Sequence, residues 1–519
     1  MTVASSEHAS PRGRRFVVNI LWNWMGVAAA LVGGLLISPY LIRKLGPEAY
    51  GVWVLSFALV ENYSLLDLGF RSATVKYVAH YWATGETERV NEILNTVIAF
   101  AAIGSSLVLS VIFVASRYVD RFFNVSPTLA PSFRTLVLLV STSWCLGFVF
   151  NNFAASLEAV QRFDLYSQIS VAVTVVRVGG TAILLYVGAG LVEIGILVIT
   201  SQILGYAFFF LSFRAIFPQL HLSPRFATLA TLRKMGSFGI HTFLVNISTM
   251  ILAQSPALLI GHFLNAAFVG YYAAPNRLLQ YSGEAVGRVG IITNANTAEL
   301  QARGDTRALP QLAIFTNRYC VTLFMPIAIM LFVFGRPLFD IWIPSIAAFS
   351  APLLPIMLTG YVIGVIGQFS SWMLLQGLGR HQRYAIGMIF EAALCVTGAT
   401  LAVPRFGITG VAVVTSSLMI LNRGLFTPWL VSRELRFSFT RFVGSTYGWP
   451  AIAGIPAFAV AMLLRGSVLP GHSWGQLAAA ASIVAAVYLS VAFFACVPAE
   501  HRDLLRSWLV QRLSRLRTA

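Results

Sequence analysis

Apolar stretches of about 20 residues recur along nearly the whole chain, separated by short polar turns. Their periodic length fits a helix rising 1.5 Å per residue across ~30 Å of hydrocarbon. The pattern predicts fourteen such segments, near 17–42, 47–70, 92–116, 134–157, 165–188, 191–213, 237–262, 267–296, 310–335, 348–376, 384–404, 407–430, 445–464 and 475–498. The longest internal connections run to only about twenty residues, too short for a soluble catalytic domain. An all-α polytopic membrane protein follows, since only helices and closed barrels satisfy their backbone groups in lipid.

Composition agrees. The 519 residues are 57% hydrophobic and 11% charged, with a mean hydropathy of +0.76; a soluble protein is about 25% charged. "PRGRRF" leads into an apolar stretch too long for the core of a cleavable signal, so 17–42 reads as an uncleaved first span. Cys145, Cys320, Cys395 and Cys496 all fall in apolar spans without a metal-ligand spacing and read as small buried residues. No HExxH, Walker loop or GxSxG elbow is present, so neither metal, cofactor nor enzymatic activity is expected.

The net charge of +17 suggests nucleic acid until the charges are located. With the N-terminus inside, 23 of the 36 Lys and Arg lie on the cytoplasmic side, 8 outside and 5 within spans. That asymmetry is the positive-inside bias, with both termini cytoplasmic. The tail "HRDLLRSWLVQRLSRLR" reads as a basic amphipathic helix on the anionic inner leaflet. The basicity is mostly topology, and no nucleic acid is expected.

A weak internal repeat organises the spans. Gly51 and Gly270, Gly85 and Gly304, Trp53 and Tyr272, and Glu92 and Gln311 each lie 219 residues apart, and "GET" at 85–87 meets "GDT" at 304–306. An offset of six spans keeps both copies in one orientation, a parallel repeat about an axis along the membrane normal. The expected domains are a segment at 1–16, an N-lobe at 17–213, an interlobe loop at 214–236, a C-lobe at 237–430, two extra helices at 445–498 and the tail at 499–519.

The stretch "SPYLIRKLGPEAYGVWVLSFALVENYSLLDLGFRSATVKYVA" (38–79) resembles the opening of the polysaccharide transporter family. That family holds the O-antigen and exopolysaccharide flippases of the multidrug/oligosaccharidyl-lipid/polysaccharide (MOP) superfamily. The matching elements are Leu45, Gly46, Glu48, Tyr50 and Gly51 after span 1, "LLDLG" at 65–69, and the segment leading to Asn91 and Asn95. The resemblance implies two six-helix lobes of MOP/MATE type and a flippase in the bacterial inner membrane. It would move undecaprenyl-diphosphate-linked oligosaccharides by alternating access, possible partners being the polymerase and chain-length proteins of the pathway.

Charged residues at membrane depth are the candidate machinery. In "YYAAPNRLLQYSGEAVGRVG" (271–290), Arg277, Tyr281, Glu284 and Arg288 stack on one helix face, leaving Ala274, Leu278 and Val289 for lipid. An arginine at mid-helix costs ~2.5–3.5 kcal/mol. Arg318 and Arg423 are expected to relieve that by snorkelling. Arg177 and Arg277 have no such exit, nor an acid three or four positions away, and are assigned with Arg288 to a cationic cavity for an anionic diphosphate. For Arg288, pairing with Glu284 is the alternative. Asn151, Asn152, Tyr281, Asn294 and Asn296 are candidate sugar contacts, with polar interhelical bonding as the competing role. Glu61, Glu284 and Glu391 are candidates for proton or ion coupling, or for salt bridges to lumen arginines. Asp67 and Arg71, at i,i+4, are expected to pair at the inner mouth, and Pro39, Pro256 and Pro326 to kink helices at gating points. A multidrug exporter would want more acid than arginine at this depth, whereas a polytopic glycosyltransferase, polymerase or ligase would want a large outer loop. A lipid II flippase is the alternative that sequence separates least.

Overall fold

The computed structural model describes residues 37–61, 70–236, 240–305, 307–468, 470–503 and 507, and among these no strand occurs. The long helices are α1 (Pro47–Glu61), α2 (Phe70–Ala83), α3 (Thr87–Ala115), α4 (Ala130–Ala159), α5 (Phe163–Tyr186), α6 (Leu191–Ile216), α7 (Ile240–Phe263), α8 (Ala266–Ala302), α9 (Leu309–Trp342), α10 (Leu353–Gly377), α11 (Gln382–Glu434), α12 (Phe439–Gly466) and α13 (Trp474–Ala495). Among the described residues, ten helical stretches are long and apolar enough to cross a membrane. Fourteen is not reached by that measure, for identifiable reasons. α11 doubles back at Gly407 and holds two of the expected segments; α8 is 37 residues long but is not among the ten. Most of 17–42, and the tail helix, lie outside the described residues.

The chain divides into two compact units, Met1–Phe243 with Ile260–Gly270, and Leu244–Leu259 with Tyr271–Ala519. In the first, α4 is central and touches α1, α2, α3, α5 and α6. Its core is aromatic: Phe153 meets Phe210 and Phe213 at ring distances of 5.1 and 4.9 Å. In the second, α10, α12 and α13 pack against α9. Buried Ala453, Ala457 and Ala461 of α12 face Ala480, Val484 and Tyr488 of α13, small residues that let two helices approach where lipid supplies no hydrophobic drive.

The repeat is visible in backbone detail. Gly85 and Gly304 end α2 and α8 with φ of +78° and +72°. In both turns the next residue's N–H reaches back five positions, Glu86 to the Tyr81 carbonyl (2.9 Å) and Asp305 to Leu300 (3.0 Å). This left-handed helix stop favours glycine. A second pair is reciprocal. A Cβ on Gly51 would overlap the Ala266 carbonyl, and one on Gly270 would lie 2.7 Å from the Pro47 carbonyl. Pro47 and Ala266 are themselves 219 apart, so the starts of α1 and α8 cross with each glycine facing the other helix's first residue.

The loop after α6 is held by side chains of α3. Asn95 donates to the His221 carbonyl (2.8 Å) and accepts from the Ser223 N–H (2.7 Å), while Asn91 accepts from the His221 N–H (3.0 Å). Glu92 accepts from the hydroxyls of Thr228 (2.7 Å) and Thr231 (2.6 Å). On the opposite side of the chain's turns, Asp120 receives Arg134 through two bonds of 2.8 Å, which hold its carboxyl below the usual range.

Two outcomes are expected. Gly51→Ala and Gly270→Ala should each lower the melting temperature of the purified protein, by a cost on the order of 1–3 kcal/mol for overpacking. Gly179→Ala, with open space around it, should be neutral or slightly stabilising in thermal-shift and gel-filtration assays. Asn95→Ala strips partners from the loop backbone, about 1–3 kcal/mol, and should speed protease cleavage near 217–231.

Candidate functional site

Each unit holds a polar pocket with one arginine on its wall. In the first, Arg71 of α2, Trp144, Gly147, Phe148, Asn151 and Asn152 of α4, and Gln202 and Tyr206 of α6 enclose about 220 Å³. Trp144, Phe148 and Asn151 or Asn152 recur at helical spacing, so one face of α4 supplies the aromatic and amide wall. Gly147 leaves room for the Tyr206 hydroxyl, which donates to the Ser143 carbonyl (3.3 Å). Arg71 bonds Glu158 and lies 5.9 Å from the centre of the Tyr166 ring. Its side chain stays 42% exposed while Glu158 is 15% exposed, so the carboxylate fixes a guanidinium that still reaches the pocket.

The second pocket, about 170 Å³, is lined by α7, α8, α10 and α11, including Pro256, Tyr272, Asn276, Gln280, Tyr361, Ser416 and Arg423. Two π-helical turns, Tyr361–Val365 in α10 and Met419–Phe426 in α11, meet beside it. Gly364 and Gly424 permit the meeting: a Cβ on either would lie 2.6 Å from Met419 or Ile363. Such turns widen a helix and re-aim its side chains. Here they turn Arg423 inward. Its Nε lies 3.0 Å from the carboxylate of Glu391, which also accepts from Asn422 (2.6 Å). Glu391 is 0% and Arg423 15% exposed.

This corrects the expectation for Arg423, which does not snorkel. Arg423 and Glu391 each lie sixteen residues from Gly407, where the backbone leaves the helical region (φ 59°, ψ −147°). Equal distances from a hairpin turn put two residues at equal depth, a signal present in the sequence but not used. Arg318 is likewise spent inside the protein, donating to the Ser445 carbonyl (2.7 Å) and toward that of Cys496 (3.5 Å). It ties α12 and the end of α13 to α9.

The other candidates are spread. Arg177 is half-buried on α5 with a partner of its own, and Arg277 donates to Gln280 at 3.5 Å. Tyr281 is half-buried, Glu284 and Asn296 are exposed, and Asn294 donates to Gln376 (2.9 Å). None of these six lines either pocket. Asn152 spends its amide on the Phe148 and Val149 carbonyls, leaving Asn151 as the exposed amide. Ala274 and Leu278, assigned to lipid, are buried in protein; helical periodicity separates faces but does not tell lipid from a neighbouring helix. Pro39 is buried in the helical stretch 37–45, Pro256 lines the second pocket and Pro326 lies within α9. Asp67 and the side chains of Glu61 and Arg288 fall outside the described residues. The four cysteines are buried and free.

Removing one partner of the buried pair should cost more than removing both. Glu391→Ala is expected to destabilise by about 3–5 kcal/mol, because Arg423 is left uncompensated. Glu391→Met combined with Arg423→Met should recover most of that. Thermal melting of the single and double variants measures the difference.

The profile of the family described as "Polysaccharide biosynthesis protein" matches residues 40–345. The membrane protein EpsK of Bacillus subtilis (strain 168), described as uncharacterized, is 22% identical over 494 residues, covering 95% of this chain and 97% of EpsK. A Shigella flexneri protein whose name proposes an O-antigen transporter is 20% identical over 423 residues, covering 80% of this chain and 98% of that protein. Among solved structures, the lipid II flippase MurJ in an inward closed conformation superposes with a TM-score of 0.71 at 14% identity, covering 94% of this chain and 100% of MurJ. The chain is a multi-pass membrane protein with the fold of the MOP-superfamily transporters, and it belongs to the polysaccharide biosynthesis protein family of transporters and flippases.

Proposed function

We propose that the protein moves lipid-linked oligosaccharide units from the cytoplasmic to the outer leaflet of the bacterial inner membrane, by alternating access, for O-antigen or exopolysaccharide synthesis. The observation that carries this reading is the pocket of the first unit. It offers a guanidinium for phosphate, an indole face for a sugar ring, and two carboxamides with a phenol for hydroxyls. The passenger of a cationic drug exporter would need an unpaired carboxylate instead. The carboxylates beside these pockets, Glu158 and Glu391, are already held by Arg71 and Arg423. In this reading both termini are cytoplasmic, as the distribution of Lys and Arg favours.

Arg177, Arg277 and Arg288 remain part of the proposal as further cationic points on the anion's path. Glu61 remains the proposed coupling residue. Glu391 takes a different part: it holds Arg423 until a proton or an incoming phosphate competes for the pair.

Export is measured as surface polysaccharide in a strain lacking this protein. Arg71→Ala should lower it at least tenfold at normal protein level, and Arg71→Lys should keep part of it, since lysine retains charge without the forked geometry. Trp144→Ala should also reduce export, with Trp144→Phe retaining more. Full export by Arg71→Ala and Trp144→Ala, or efflux of cationic dyes by the wild type, would overturn the reading. Glu61→Gln should still bind lipid-linked oligosaccharide in vesicles but lose its response to an imposed pH difference.

A further inference from the structure

A third pocket has no part in the proposed passage. It lies in the second unit at the end of α9 that the charge distribution assigns to the outer face, and encloses about 460 Å³. Its polar side chains come from three elements: Arg336 and Asp340 one turn apart on α9, Arg465 on the last turn of α12, and His472 just before α13.

Among the described residues Arg336 bonds only through Nε, to Asp340 at 3.0 and 3.2 Å, which leaves both terminal nitrogens of that guanidinium to a ligand. Arg465 donates one terminal nitrogen to the Val333 carbonyl (2.6 Å), which anchors its side chain, and among the described residues its other donors take no further bond. The two arginines outnumber the single carboxylate. The floor is Gly471, with φ +86°; a Cβ there would lie 2.9 Å from Pro337 and 3.3 Å from Phe334, so a larger residue would strain the loop that shapes the pocket. At the start of α13, Ser473 accepts from the Gln476 N–H and the Gln476 side chain accepts from the His472 N–H, so these two amides are already used. The side chains make the site.

The depth of the pocket points to the kind of ligand. Trp474, 54% exposed, stands next to it at the start of α13, the level at which indoles mark the headgroup region. Further along, α13 exposes apolar side chains, Ile483 and Leu489 among them. Two guanidiniums at headgroup level above an apolar helix fit a phosphate with lipid attached.

We propose that this pocket binds the phosphate of an anionic lipid in the outer leaflet and thereby fixes α12 and α13 against α9. The site is separate from the export reading, and its test involves no transport. Full-length protein is purified, exchanged into detergent with equal phosphatidylglycerol and phosphatidylcholine, and the lipids retained are counted by native mass spectrometry, with and without inorganic phosphate. The wild type should retain phosphatidylglycerol preferentially. Arg336→Gln and Arg465→Gln should each reduce that retention about tenfold, the loss of one charge-assisted bond. Displacement by inorganic phosphate would assign the affinity to the phosphate alone; retention despite it would assign it to phosphate and chains together. Both support the site. Arg336 is half-exposed and replaceable without loss of fold, which gel filtration and melting of Arg336→Gln check. No preference for phosphatidylglycerol in the wild type, or unchanged preference in both variants, would overturn the proposal.

Discussion

A charge inside a bilayer has to be met by another charge or by backbone carbonyls, and much of this architecture follows from that requirement. Arg423 and Glu391 are the sharpest instance. Either one alone would cost several kcal/mol in a low-dielectric interior. Together they require the two legs of α11 to run side by side, and the π turns of α10 and α11 to open just where the pair sits. Arg318 shows the same rule with carbonyls as partners, and its bonds gather three helices at one end of the second unit.

The rule also shapes the pockets. An arginine fully neutralised and buried is structural, and one left open to lipid is unstable. Arg71 lies between these limits, pinned by Glu158 and yet on the pocket wall. Arg423 stands the same way against the second pocket, with Glu391 behind it. In both, a carboxylate holds the guanidinium in a fixed direction against the pocket wall.

The two copies of the 219-residue repeat share a frame but not their charged sites. Gly85 and Gly304 stop helices with the same left-handed turn, and Gly51 and Gly270 make the same close approach. Yet Arg71 has no arginine 219 residues on, where Gly290 stands, and Glu158 likewise meets Gly377. The frame is held by glycines because one pair takes a left-handed turn and the other leaves no room for a Cβ. The pockets are free to diverge because a side chain can be re-paired locally.

The sequence by itself determined the class of fold, since apolar runs of membrane length leave the backbone no alternative to helix. It also determined the repeat, because the paired glycines mark positions that need either a left-handed turn or a missing Cβ. Family membership was legible from the turn around Gly46 and Gly51 for the same reason. Only the tertiary structure decided the charged pairs. Arg71 and Glu158 are 87 residues apart and meet because α2 packs on α4. Ala274 and Leu278 face protein, although their spacing is that of a lipid-facing stripe. Arg423 is the intermediate case, its partner encoded by equal distance from Gly407 yet readable only once that glycine is known to be the turn. Periodicity fixes which side of a helix a residue is on; what stands opposite depends on which helix the fold brings there.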